Sequence, residues 1–244
     1  MAKKVRTPPP PQRVQAPKVR TGRGAPKQAR APLREQVNPV VAGVAVAALV
    51  VVGVLVGVFA TRSSPTKPPR IGVSIGNLAT LPGAQLGKPP WNAGQKKLSE
   101  RLTALGLTPQ PNEQTQTHIH QHLDVYVNGR PVAVPQAIGF VVQGKKVTSL
   151  AFLHTHDPGG VIHVESPSPY DYTLGQFFGV WGVRLSKTCL GGLCGSQPLH
   201  VWVNGKPFLA DPTRLVLASH QEIVVAFGTP PAKVPSHFSF PKGE

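Results

Sequence analysis

The sequence predicts a mainly β fold of the α+β class: one extracytoplasmic β-sheet or β-sandwich domain with two short helices, preceded by a single transmembrane helix. Three observations support this prediction. An uncharged apolar run occupies residues 40–60, polar and apolar side chains alternate from residue 118 to 128, and a Val-x-Val-Asn-Gly-x-Pro motif occurs twice. A period of two is typical of strands, and an apolar run of about 20 residues is typical of a membrane span.

The apolar run consists mostly of Val, Ala, Leu and Gly. A helix of this length matches a hydrocarbon core of roughly 30 Å, so we predict a transmembrane helix over residues 39–61. Ten Lys and Arg residues precede it, whereas only Arg62, Lys67 and Arg70 follow closely. The positive-inside rule therefore predicts a single-pass protein of the cell membrane, with a cytoplasmic N-terminus and an extracytoplasmic C-terminal domain. A signal peptide cleaved after Ala60 is the alternative, although the run exceeds the usual length of a signal-peptide core.

Residues 1–38 are predicted to form a disordered, basic, proline-rich cytoplasmic tail. This segment has no apolar periodicity and cannot bury enough surface to offset the entropy of ordering it. It carries ten of the 26 basic residues and one acid, Glu35, so much of the formal net charge of +16 belongs to it. Anionic lipid is the expected partner of such a tail, in addition to the membrane lipid around the helix. The charge is weak evidence for nucleic-acid binding, which we do not expect, and the sequence indicates no protein partner.

Composition divides the rest of the chain. Residues 62–91 are rich in Pro, Gly and Ser and are predicted to form a linker, residues 92–230 a histidine-rich β-domain, and residues 231–244 a C-terminal tail.

Two short helices are predicted within this part of the chain. The first is expected over residues 93–105, with Asn92 as its cap and Gly106 just after its end. The second is expected over residues 174–181, with Thr173 as its cap.

Residues 118–128 are predicted to form a strand with one buried face. The odd positions from 119 to 127 are apolar, with Gln121 as the one exception. The even positions carry His118, His120 and His122, which are therefore expected on the opposite face. Asn128-Gly129 indicates a tight turn into a second strand.

The motif of residues 125–131 returns at residues 201–207, which predicts two equivalent hairpins. Only the first copy is preceded by three histidines, so the shared part is interpreted as structural. Residues 221–227 are predicted to form the last strand.

A second histidine stretch is predicted to form a hairpin. Residues 147–156 and 161–165 are strand candidates, and Asp-Pro-Gly-Gly at 157–160 is a turn signal. A four-residue loop would place His154 opposite His163, on the same face as His156 and Glu165.

These histidines predict a transition-metal site. Neutral imidazole is the commonest metal ligand near neutral pH, and Zn²⁺ and Cu²⁺ sites need three or four such groups around one point. Ligation without thiolate or thioether favours Zn²⁺ or Cu²⁺ over Cu⁺. Glu165 or Asp157 would be an oxygen ligand, an outer hydrogen-bond acceptor or a general base; no catalytic residue is otherwise indicated. The candidate metal ligands are His118, His120, His122, His154, His156, His163 and Glu165.

The alternative interpretation is that these are solvent-facing strand histidines in a surface hydrogen-bond network. A single site further requires that the strand of His118 lie beside the second hairpin, which the sequence leaves open.

Cys189 and Cys194 are predicted to form a disulfide, since a closely spaced pair outside the cytoplasm is usually oxidised. A Cu⁺-binding or redox-active dithiol is the alternative.

Three strings of the β-domain carry a resemblance to a known group. They are His-Leu-x-Val-x-Val-Asn-Gly, His-Thr-His-Asp-Pro-x-Gly-Val-Ile-His-Val-Glu and Tyr-Thr-Leu-Gly-Gln-Phe-Phe-x-Val-Trp-Gly-Val. Together they resemble uncharacterised bacterial and archaeal proteins that are membrane-anchored or exported, and the N-terminal composition is similar to that of actinobacterial members. The resemblance covers a little under half of the chain. It implies a true domain and implies no activity.

Three functions are consistent with these patterns. The first is a membrane-anchored extracytoplasmic module that binds Zn or Cu at the cell envelope. The second is a metal-dependent envelope enzyme, hydrolase or oxidoreductase. The third is an envelope interaction protein that holds no metal.

Overall fold

The computed structural model describes residues 68–243. The predicted basic tail, the predicted transmembrane helix and the first residues of the predicted linker lie outside this range. Within the described residues, no helix is both long and apolar enough to cross a membrane.

The described part of the chain is mainly β with two α-helices, as the sequence predicts. The helices are α1 (Leu98–Ala104) and α2 (Leu174–Trp181), and short 3₁₀ helices occur at Leu78–Thr80 and Pro212–Arg214. The strands are β1 (Thr117–Val127), β2 (Arg130–Val132), β3 (Phe140–Gln143), β4 (Lys146–Leu150), β5 (Leu153–His154), β6 (Val161–Ser166), β7 (Cys189–Leu190), β8 (Leu193–Cys194), β9 (Leu199–Val203), β10 (Lys206–Pro207) and β11 (Glu222–Phe227).

Seven strands form one sheet in the order β10-β9-β11-β1-β6-β5, with β2 also paired to β1. The long central strand β1 runs parallel to β11 on one side. On its other side β1 pairs with β6 through residues 117–122 and with β2 through residues 125–127. This arrangement places β1 beside the β5–β6 hairpin.

One face of the sheet packs on helix α2. The apolar alternate residues of β1, β6 and β11, including Leu123, Ile162 and Ile223, join Phe177 and Trp181 in one core cluster. Every residue of α2 is buried. The histidine positions of β1 and β6 therefore lie on the other face, because strand side chains alternate.

Helix α2 begins and ends where the sequence predicts. The Thr173 side chain accepts a hydrogen bond from the Gln176 amide, and the Gln176 side chain accepts one from the Thr173 amide, which is a capping box. Gly182 follows the helix with φ 78°, a conformation that favours glycine.

Replacing Thr173 with Ala is expected to lower the free energy of unfolding by about 1 kcal/mol, because the helix loses its N-terminal acceptor. Thr173→Ser is the matched control, since it keeps the hydroxyl. Urea denaturation of both variants measures the difference, and equal stabilities would contradict a role for the hydroxyl.

Helix α1 is shorter than predicted. It begins after Lys97, which has φ 57°, and the Asn92 side chain accepts a hydrogen bond from the Gly94 amide instead of capping the helix. A Cβ at Gly94 would overlap the carbonyl of Trp181, so tertiary contact holds this segment out of the helix. Gly106, with φ 67°, ends α1 as predicted.

The described part of the predicted linker packs on the domain. Ile71 bridges to Leu215 and Gln85 bridges to Val183. Leu78 and Trp91 are buried in the core. From residue 68 onward, this segment is therefore built into the fold rather than separate from it.

The strand expected over residues 147–156 is divided into two. Strand β4 pairs with β3 in a separate hairpin, and only β5 joins the main sheet. Between them the Ala151 amide donates to the carbonyl of Gly139, which turns the chain from one sheet into the other.

The two copies of the repeated motif form hairpins with the same turn. Asn128 and Gly129 have φ 49° and 75°, and Asn204 and Gly205 have φ 51° and 74°. These positive values at both central positions are typical of the type I′ turn. Strands β1 and β9 of the two copies lie on either side of β11.

The predicted disulfide is confirmed. It joins Cys189 of β7 to Cys194 of β8, so neither residue is a free thiol.

Candidate metal centre

Strand pairing brings the two histidine stretches together. In the β1–β6 pair, His118 lies opposite Glu165 and His120 opposite His163. In the β5–β6 pair, His154 lies opposite His163 as predicted. With His156, which follows β5, these residues form what we call the histidine cluster: His118, His120, His154, His156, His163 and Glu165.

Four of the five histidines of the cluster form two pairs. Nε2 of His118 lies 3.2 Å from Nε2 of His120. Nε2 of His154 likewise lies 3.2 Å from Nε2 of His156. The fifth ring, His163, lies between the pairs, with its centroid 4.5 Å from those of both His120 and His156.

Glu165 connects the two pairs. Its Oε1 atom lies 3.3 Å from Nε2 of His118 and 3.3 Å from Nδ1 of His163. The same oxygen lies 3.7 Å from Nε2 of His154.

These separations match those between the ligands of one metal ion. At metal–nitrogen distances of about 2.0–2.1 Å, neighbouring atoms of a tetrahedral Zn²⁺ site lie about 3.3–3.4 Å apart. The groups His118, His120, His163, Glu165 and His154, His156, His163, Glu165 each place all their ligand atoms within 4.8 Å of one another. The buried histidine and carboxylate groupings could therefore hold a metal ion.

The cluster is buried at its centre and open at its rim. His154 and Glu165 are 0% and 3% exposed. The side chains of His118 and His156 are 42% and 39% exposed. At the rim, Oε1 of Glu113 lies 3.3 Å from Nε2 of His156. Solvent therefore reaches the cluster at His118 and His156.

The tautomer of His154 is determined by its backbone partner. Its Nδ1 atom donates a hydrogen bond of 2.9 Å to the carbonyl of Ala151, because a carbonyl oxygen only accepts. Nε2, which faces His156 and Glu165, therefore keeps a lone pair in the neutral ring. A backbone carbonyl on the second ring nitrogen is the usual support of a metal-binding histidine.

The protonation states of the cluster suit a cation. Burial lowers the pKa of His120 and of His154 to about 4. Burial raises the pKa of Glu165, but the hydrogen bond from His163 and the neighbouring histidine charges outweigh it, so the net pKa is lowered. At neutral pH the neutral imidazoles of His120 and His154 therefore lie beside an ionised carboxylate.

One oxygen of that carboxylate has no partner. Oε2 of Glu165 is buried and makes no hydrogen bond. Leaving a buried charged group without full compensation costs more than leaving a neutral one. The atom is therefore consistent with a cation ligand.

The structure separates His122 from the cluster. Its Nδ1 lies 2.9 Å from Oε2 of Glu222, and its Nε2 donates to the carbonyl of Gly159. Its ring stacks on Phe238 of the predicted C-terminal tail at 3.9 Å between centroids. Burial opposes a charge on His122, but the hydrogen bond and charge of Glu222 outweigh it, so its pKa is raised.

His122 was expected to join the other histidines because it shares their face of β1. Instead it lies opposite Glu222 of β11 on one side and opposite Val161 of β6 on the other. With Asp124 and Glu222 it forms a separate group, whose ligand atoms also lie within 4.8 Å of one another and could hold a metal ion. Both of its ring nitrogens have partners, so we leave it out of the cluster.

Sequence reasoning missed three residues around these sites: Glu113, Glu222 and Phe140, whose ring lies edge-on to His154 and His156. Glu113 and Phe140 lie in segments with no metal motif, and Glu222 begins a strand otherwise interpreted as core. Only the pairing of β1 with β11 could have indicated Glu222.

Acid is expected to destabilise the metal-free protein. In the unfolded chain the histidines take up protons below about pH 6.5, whereas His120 and His154 in the fold do so only near pH 4. Stability is therefore lost as the pH falls from 6.5 towards 4. At pH 5.5 the loss is about 1 kcal/mol for each of these two histidines.

Urea denaturation of the chelator-treated protein at pH 7.5 and 5.5 measures this effect. A variant in which His120 is replaced by Gln should show a smaller change between the two pH values. An equal change in variant and native protein would contradict the neutral state of His120.

Comparison of the chain with protein-family models, curated proteins and solved structures found no match.

Proposed function

We propose that this protein binds a divalent transition-metal ion, Zn²⁺ or Cu²⁺, at the histidine cluster. The observation that carries the proposal is the Glu165 carboxylate, 3% exposed, surrounded by imidazole nitrogens, with one buried oxygen unpartnered. A divalent ion would supply a positive charge beside this carboxylate.

The donor set supports the choice of metal. Imidazole nitrogens with a single carboxylate suit Zn²⁺ and Cu²⁺, whereas Ca²⁺ and Mg²⁺ prefer oxygen ligands. The two cysteines, which would bind softer ions, are joined in the disulfide.

The proposed setting is the outer side of the cell membrane, with the chain anchored by the helix predicted over residues 39–61. The apolar run and the excess of basic residues before it support this placement. The disulfide supports it further, because such bonds persist in oxidising compartments.

A binding module is favoured over an enzyme. The side chains of His118 and His156 are partly exposed. The rim at His118 and His156 suits the exchange of an ion.

The test is elemental analysis of the full-length chain, purified in detergent after exposure to Zn²⁺ or Cu²⁺ and removal of free metal. We expect stoichiometric metal in the native chain and less metal in the variant H154A/H156A/H163A, which removes three of the five histidines of the cluster. The control is H200A/H237A, which removes histidines outside the cluster and should keep its metal.

Equal metal in the native chain and in the cluster variant would show that the site is elsewhere. A native chain without metal would leave the third hypothesis, an interaction protein of the envelope. Circular dichroism of each variant checks that a loss of metal is not a loss of fold.

A further inference from the structure

We propose that the histidine cluster holds two metal ions, one at His118 and His120 and one at His154 and His156, with Glu165 shared between them. This inference rests on the proposed function and adds the number of ions and the division of the ligands.

The cluster contains more ligands than one ion uses. Zn²⁺ sites in proteins take three or four protein ligands. Five histidines and Glu165 lie together here, and they divide into two Nε2–Nε2 pairs with the same separation of 3.2 Å. Each pair has the spacing of neighbouring ligands, so each can begin a separate site.

The two pairs are too far apart to serve one ion. Ligands at about 2.1 Å from a metal can be no more than about 4.2 Å apart, even on opposite sides of it. Each pair forms a group within 4.8 Å together with His163 and Glu165, but no such group among the described residues contains both pairs. One ion would therefore use one pair and leave the other pair without a role.

Glu165 is placed to serve both ions. Its Oε1 lies 3.3 Å from Nε2 of His118 and 3.7 Å from Nε2 of His154, so the same carboxylate borders both pairs. Its Oε2 is buried without a partner. A carboxylate has about four lone-pair positions, enough for two cations.

His163 completes the ligand set. It belongs to both groups, and its ring lies between the rings of His120 and His156. If Glu165 serves both ions and His163 serves one, one ion has four protein ligands and the other has three. The ion with three ligands would keep a position for water or a small anion.

The first measurement is the zinc content of the full-length chain. The protein is freed of metal with chelator, saturated with Zn²⁺, separated from free metal and analysed for zinc per chain. We expect two ions in the native chain, one in H118A/H120A, one in H154A/H156A, and two in the control H200A/H237A.

The outcomes separate this inference from the proposed function. No zinc in the native chain overturns both. One zinc in the native chain overturns the two-ion inference and leaves the proposed function standing. Two zinc ions that are both lost in either pair variant overturn the division of the ligands.

The second measurement needs no variant. The native chain is loaded with Cu²⁺ and its electron paramagnetic resonance signal is integrated. The unpaired electrons of two Cu²⁺ ions that share Glu165 should couple magnetically. The integrated signal should then correspond to fewer than two spins per chain, or the spectrum should be broadened. Two fully independent spins would overturn the shared carboxylate.

Discussion

Replacement of Glu165 by Gln is expected to weaken Zn²⁺ binding by more than about 100-fold, because the cluster loses the carboxylate that borders both histidine pairs. Changes to groups that merely support a metal ligand typically lower the metal affinity by about 10–100-fold. Glu165 lies 3.3 Å from Nε2 of His118 and 3.7 Å from Nε2 of His154, so it lies among the ligand nitrogens. Its replacement should therefore lower the zinc affinity by more than the replacement of a supporting group.

The substitution keeps the size and shape of the side chain. The variant is therefore expected to fold, and a loss of affinity reports on the charge and on the lone pairs of the carboxylate. Competition between the protein and a chelator of known zinc affinity measures the change.

Glu100→Gln is the matched control for this prediction. Glu100 is exposed on helix α1 and pairs with Lys97, away from the cluster, so the same change of chemistry there should leave zinc affinity unchanged. If the Glu165 variant bound zinc as tightly as the native chain, the carboxylate would not be a ligand and the proposed function would lose its main support.

Replacement of Arg101 by Met is expected to lower the free energy of unfolding by about 3–5 kcal/mol, because buried carbonyl groups would lose their donor. Arg101 is 0% exposed. Its guanidinium donates to the carbonyls of Pro82, Gly94, Lys96, Gly179 and Val180.

These contacts join three segments of the chain. Gly179 and Val180 lie in the last turn of helix α2, where a positive charge is favourable. The other carbonyls belong to residues 82–96, the segment that the sequence predicts as a linker and a helix start. Arg101 therefore holds residues 82–96 against the C-terminal end of helix α2.

Burial lowers the pKa of Arg101 to about 10, so the group stays charged at neutral pH. Arg101→Lys keeps the charge but lacks the planar fork of donors, and it should restore only part of the stability. Lys97→Met, at the residue just before the same helix, is the control, and the exposed ion pair of Lys97 with Glu100 contributes about 0–1 kcal/mol.

Chemical denaturation followed by circular dichroism compares the three variants. A loss below about 1 kcal/mol in Arg101→Met would mean that water replaces the guanidinium and that the five contacts matter little.

Local patterns predicted the elements that position the cluster. The alternation in β1, the Asn-Gly turns and the cap at Thr173 depend on residues close in sequence, and all are present in the structure. Helix α1 was predicted too long for the opposite reason. Gly94, near the start of the predicted helix, packs against the carbonyl of Trp181, which lies far away in the sequence. The carbonyl of Gly94 also accepts a hydrogen bond from the buried Arg101 side chain.

The positions of the histidines were likewise predictable only where they depend on residues close in sequence. Pairing of His154 with His163 follows from a short hairpin and was predictable. The position of His122 was not, because its neighbour Glu222 lies 100 residues away on a strand whose parallel pairing with β1 no local pattern indicates.

The sequence by itself determined which residues form strands and helices, and that the histidines share one face of their strands, because side-chain periodicity depends only on neighbouring residues. The tertiary structure decided which strands are neighbours. That order brings His118 and His120 beside His163 and Glu165, leaves His122 with Glu222, and packs residues 68–91 on the domain. The physical reason is that a strand offers the same hydrogen-bonding groups on both edges, so only the packing of the whole core selects the partner.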